Sequence, residues 1–111
     1  KRLFSHMKYN FRRRINMYTK LDAKIESLGF TKMENEEPEN EFGVSYKRKI
    51  EDSEFWQRVD VLRVPEDEHI VSSYEDRLNN EGMNNVIGLT YEEMILFAKK
   101  LKEMKKKYRW E

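Results

Sequence analysis

The side chains equipped for chemistry are few and dispersed along the chain. His6 and His69 are the two histidines, and neither belongs to an H-x-x-x-H or H-E-x-x-H arrangement, so a zinc site would have to recruit carboxylates from distant segments. Adjacent carboxylates abound, as in Glu92-Glu93 and Glu66-Asp67-Glu68. Acid–base catalysis, however, needs two carboxyls held across a pocket with separated pKa values, and neighbouring acids more ordinarily serve as helix caps and loop charge. Asp60 differs because it stands between Val59 and Val61 in an apolar run; Arg58, Arg63 or a neighbouring strand would pair with it. No G-x-x-x-x-G-K-[ST], G-x-G-x-x-G or G-x-S-x-G segment occurs, which removes the common nucleotide loops and the nucleophile elbow. The expectation is a protein without catalytic residues, metal or cofactor, acting by binding.

Binding chemistry is better represented. Tyr46, Arg48, Trp56, Arg58 and Arg63 interleave aromatics with cations, and Lys105 and Lys106 add charge near the C-terminus. Stacking on an aromatic beside phosphate-binding cations holds single-stranded nucleic acid, while Trp, Tyr and Arg are also the usual anchors of protein interfaces. Strand parity complicates the first use, since Lys47 and Lys49 must point opposite to Arg48, and Trp56 is equally suited to a core.

Elements that would position these residues follow from periodicity. Leu3 to Leu28 contains neither Pro nor Gly, and Phe4, Phe11, Tyr18 and Ile25, with Met7, Leu21 and Leu28, recur at helical spacing. The pattern permits a long helix ending at Gly29, with Met17 to Leu28 as its firmest part. ENEEPENE (34–41) reads as an exposed acidic loop. Phe42–Ile50, Phe55–Val64 and His69–Tyr74 have strand character, joined by short polar connectors suited to hairpins. EDRLNNEGMNNVIG reads as a loop with at most a short helical turn. Thr90-Tyr91-Glu92-Glu93 has capping-box spacing, and Met94, Phe97, Ala98, Leu101 and Met104 form an apolar stripe followed by lysines placed to complement the helix dipole. The order is α-β-β-β-α, an α+β fold in which a three-stranded antiparallel meander carries the N- and C-terminal helices on one face.

Composition bounds the alternatives. The 111 residues suit a single domain, and the absence of cysteine removes disulfides and thiolate metal sites and favours a cytoplasmic setting. No apolar run approaches the roughly 20 residues of a membrane span. The net charge of +1 conceals segregation: residues 1–32 hold nine basic and two acidic side chains (+7), residues 33–98 six and seventeen (−11), and residues 99–111 seven and two (+5). Basic ends around an acidic middle either steer an acidic partner or pair internally. The same element order occurs in double-stranded RNA-binding domains, which use lysines at the start of the last helix; here Glu92 and Glu93 occupy that position and would repel phosphate.

FWQRVDVLRV and HIVSSYEDRLNNEGMNNVIGLTYEEMILFAKKLKEM, with the LGF segment after the first helix, resemble small proteins encoded by phages and prophages of Gram-positive bacteria, over about residues 17–107. The resemblance implies an accessory protein working in the bacterial host's cytoplasm by binding a host or phage protein, including the class of inhibitors of host defence systems. A nucleic-acid-binding module is the alternative. Residues 17–111 then form the single α+β domain, preceded by a basic extension at residues 1–16. MYTKLDAKIESLGF would be a natural amino terminus for such a protein, and Arg12-Arg13-Arg14 back-translates to a purine run containing AGGAGG ahead of the Met17 codon, as a translated ribosome-binding site would. His6-Met7 also matches what a cloning junction encodes. Against a leader stands the stripe Phe4, Met7, Phe11, Ile15, which suits an ordered helix able to pack or to pair with a second copy.

Overall fold

In the computed structural model, residues 18–76 and 85–111 are described; the proposed leader, the N-terminal stripe and most of the Asn-rich segment after β4 lie outside them. The described elements are α1 (Lys20–Glu26), β1 (Thr31–Lys32), β2 (Gly43–Lys49), β3 (Trp56–Leu62), β4 (Ile70–Asp76) and α2 (Tyr91–Tyr108). The fold is α+β, with both helices against one face of an antiparallel sheet. That sheet has four strands in the order β1-β2-β3-β4, one more than the expected meander. The added strand pairs Thr31 with Lys47 and Lys32 with Tyr46. Two residues are too short for a period-two pattern to show in sequence, and only the partner strand creates β1.

Local chemistry sets the helix boundaries. Thr19 caps α1, with its hydroxyl accepting from the Asp22 amide and the Asp22 carboxylate accepting from the Thr19 amide. This capping box with Asp at its third position starts the helix three residues after Met17. Gly29 ends the segment at φ +99°, a region that glycine enters without a Cβ penalty. Thr90 and Glu93 form the expected box on α2, and Arg109 closes that helix in the left-handed conformation. The chain then turns back: the Trp110 amide donates to Lys105 O, its indole Nε1 donates to Glu41 O at 2.6 Å, and its ring packs on His69.

Register decides which face is core. Val44 pairs with Val61 and Tyr46 with Val59, and these four side chains meet Ile25, Phe30, Phe97, Met104 and Trp110 in one buried cluster. Phe97 sits between Phe30 and Tyr46 in edge-to-face contacts with centroids 5.2 and 5.5 Å apart, a geometry that aromatic quadrupoles favour. The buried face of α2 is Glu93, Phe97, Lys100 and Met104, rotated from the expected stripe. Met94 is half-exposed and Ala98 exposed, because Arg48 draws Glu93 inward and acidic residues draw in Lys100.

Two further expectations change. Asn85–Ile87 is not simply loop: Glu75 N donates to Asn85 O and Ile87 N to Ser73 O, with Tyr74 bridging Val86 along the outer edge of β4. The acidic loop is a strap with an exposed middle, but Met33 and Glu39 are buried.

Candidate binding surface on the open face of the sheet

The helices cover the sheet face carrying Val44, Tyr46, Val59 and Val61. Alternation sends Ser45, Lys47, Lys49, Trp56, Arg58, Asp60, Leu62, Ile70, Ser72, Tyr74 and Asp76 to the other side. The register arranges these in rows across β2, β3 and β4: Lys49–Trp56–Asp76, Lys47–Arg58–Tyr74, Ser45–Asp60–Ser72 and Gly43–Leu62–Ile70. Trp56 is 40% exposed, and the ammonium groups of Lys47 and Lys49 lie 5.1 and 5.6 Å from its ring centroid, within cation–π range.

Asp60 organises the centre of this face. One carboxylate oxygen accepts from Ser45 Oγ at 2.6 Å and from Arg58 Nε at 2.8 Å, and the other from Tyr74 OH at 2.7 Å. Burial raises the Tyr74 phenol, and its bond to Asp60 raises it further. Arg58 is raised because its bonds to Glu37 and Asp60 outweigh desolvation. A phenol held protonated and a guanidinium held charged form a hydrogen-bonded platform at the centre of this face, with neither group poised to exchange protons near neutrality.

The strap reaches over one side of this platform. Lys47 Nζ lies 2.6 Å from Glu36 Oε1, and Arg58 makes a two-pronged pair with the Glu37 carboxylate. Between strap and sheet is a recess of about 130 Å³ lined by residues that include Pro38, Asn40, Phe42, Ser45, Arg58 and Leu62. Small-molecule and cofactor sites span about 300–1,000 Å³, so the recess is smaller than such a site.

A second constellation lies under the helices. Lys32 Nζ is 2.8 Å from Asp22 and 2.9 Å from Glu39, and Lys100 Nζ is 3.0 Å from Asp22, 3.2 Å from Glu39 and 2.7 Å from Glu103. Lys107 and Tyr108 bind the remaining Glu39 oxygen at 2.8 and 2.6 Å, and Tyr46 OH donates to Asp22. Burial by itself would raise Glu39, but Lys100 together with bonds from Lys107, Lys32 and Tyr108 brings it down to about 2. Asp22 is likewise lowered, since Lys100, Lys32 and Tyr46 outweigh its desolvation, and Lys100 is raised against its own desolvation by Asp22, Glu103 and Glu39. Asp22, Glu39 and Lys100 therefore stay charged through the neutral range. The cluster clips the strap to α1, β1 and α2, and its central members are closed to solvent.

The structure separates the residues singled out from sequence. Trp56 and Arg58 meet on the open face. Tyr46 is fully buried on the opposite one. Arg48 is also on the helix side, 4.0 Å over the Phe30 ring and bonded to Glu93, Leu28 O and Gln57. Arg63 is exposed just beyond β3, while Lys105 pairs with Asp67 at 2.6 Å on α2 and exposed Lys106 follows it. Lys47, Lys49, Asp60 and Tyr74 complete the surface instead, and the parity of Trp56, Arg58 and Asp60 was the clue to it. Among the described residues no group of three or more metal-ligating side chains converges, and no helix is long and apolar enough to cross a membrane. Comparison with protein-family models, curated proteins and solved structures finds no match for this chain.

Proposed function

We propose that this chain is a non-enzymatic binding module that engages a protein partner through the open face of its sheet. The observation that carries this reading is Trp56, exposed on the sheet face that no helix among the described residues covers, flanked by two lysines and set beside Arg58 and Tyr74. Trp, Tyr and Arg are the side chains that dominate interface energetics when a partner desolvates them. Apolar surface beside the cations favours protein over nucleic acid: Phe42 is 63% exposed and borders the recess with Pro38 and Leu62, where a sugar–phosphate backbone has no apolar side chain to place. An accessory role of phage or prophage type, directed at a host or phage protein such as a component of a defence system, fits a small module of this kind.

The test is affinity capture from a bacterial host extract with the wild-type chain and with Trp56→Ala and Arg58→Ala. A protein retained by the wild type and lost by both variants supports the reading. Capture unaffected by either variant removes the open face from consideration. Retention of RNA or DNA with an affinity that falls linearly in log salt would replace a protein partner with a nucleic acid.

A further inference from the structure

The strap shows what this face attracts. We infer that the open face accepts an acidic segment of the partner protein, with an apolar side chain entering the recess beside Phe42, and that Glu36 and Glu37 act as internal competitors for that site. This inference rests on the open face being the binding surface.

Lys47 and Arg58 are cross-strand partners, and each holds a carboxylate from one of two consecutive strap residues. The chain therefore displays the ligand chemistry that satisfies this pair of cations. Both strap carboxylates are more than half exposed, while their cations are half-buried. The single Lys47–Glu36 pair is worth about 0–1 kcal/mol, and the two-pronged Arg58–Glu37 pair more, but a partner carboxylate in the same place restores the same bonds. A partner can exchange for them at small cost. Displacement need not unfold the strap, because Met33 and Glu39 anchor it in the core and the buried charge cluster on either side of the exposed middle. Only the two side chains have to swing away.

The remainder of the face is unfinished in the same sense. Lys49 has no carboxylate partner among the described residues and rests over Trp56. Asp60 has both oxygens engaged by Ser45, Arg58 and Tyr74, so its charge is largely compensated within the sheet. Once Glu36 and Glu37 move out, Lys47, Lys49 and Arg58 outnumber Asp60 and Asp76, and the face turns from net negative to net positive. Phe42, 63% exposed at the rim of the recess with Leu62 and Pro38, supplies the apolar contact that a purely electrostatic site would lack.

The test uses fluorescence anisotropy with a fluorescein-labelled peptide of alternating Glu and Leu, a Gln-for-Glu control peptide and a labelled oligothymidylate. The wild type should bind the acidic peptide in preference to the control. The double variant Glu36→Gln/Glu37→Gln should bind it about fivefold more tightly, as expected from releasing the two strap pairs, and Trp56→Ala should weaken it at least about tenfold. Circular dichroism should show all variants folded. Equal affinity in the wild type and the double variant, or no preference for the acidic peptide, overturns the inference. Binding of the oligothymidylate alone, enhanced in the double variant, also overturns it. If a host protein is captured through Trp56 yet is indifferent to the Glu36/Glu37 substitutions, the open face stands as the interface and only the acidic-segment inference fails.

Discussion

Replacing Glu39 with glutamine keeps the size of the side chain and removes the charge that holds Lys32, Lys100 and Lys107 together. In the folded chain this carboxyl is brought from an ordinary 4.5 down to about 2. At about 1.4 kcal/mol per pH unit, that depression contributes about 3 kcal/mol of folding stability. The group is almost wholly buried, so solvent screening does not dilute the figure. Because the folded value lies below the unfolded one, the contribution is complete above about pH 4.5 and fades as the pH falls toward 2. Glu39→Gln should therefore cost about 3 kcal/mol at pH 7, a large share of the roughly 5–15 kcal/mol of a typical domain. The gap to wild type should close progressively between pH 4.5 and 2. Urea denaturation followed by the emission of buried Trp110, repeated across that range, measures both quantities. A variant within about 0.5 kcal/mol of wild type at pH 7, or one whose deficit does not shrink in acid, would refute the electrostatic account of the cluster.

Thr90→Ala removes the hydroxyl that accepts from the Glu93 amide and should cost about 1 kcal/mol, with faster amide exchange in the first turn of α2. At Gly43, an added Cβ would meet the Val61 carbonyl oxygen at 2.5 Å and Leu62 Cδ2 at 2.9 Å; Gly43→Ala should destabilise by about 1–3 kcal/mol, read as a lower urea midpoint with an unchanged slope. Trp56→Ala, on the open face, should shift unfolding by no more than about 1 kcal/mol while reducing partner capture, so that binding and folding separate in the same variant.

Much of the fold was legible because local patterns and tertiary demands agree. The cores of the three long strands, the Thr90 capping box and the turn at Gly29 follow from alternation, cap chemistry and glycine's access to positive φ. These are properties of a few neighbouring residues, and the packed chain keeps them. Residues whose roles depend on distant partners were not legible. Lys100 lies in a lysine-rich helix end and Glu39 in an acidic loop, both of which read as solvated, yet each is buried because the other is there. β1 exists only because β2 offers it a ladder, and the face of α2 turns toward Glu93 and Lys100 only because Arg48 and the Asp22–Glu39 carboxylates wait beneath.

The candidate surface divides along the same line. Sequence alone determined that the chain holds cation–aromatic chemistry in its strands, that Asp60 stands between Val59 and Val61, and that Lys47 and Lys49 point opposite to Arg48. Tertiary structure decided that, among the described residues, the side of Trp56, Arg58 and Asp60 is the open one, by placing both described helices over Val44, Tyr46, Val59 and Val61. It also decided that Tyr46 and Arg48 serve the interior, and that an acidic strap sits on the cations left outside. Period-two alternation distinguishes two faces but cannot say which one water keeps; that depends on where the helices find enough apolar area to bury, a property of the whole chain.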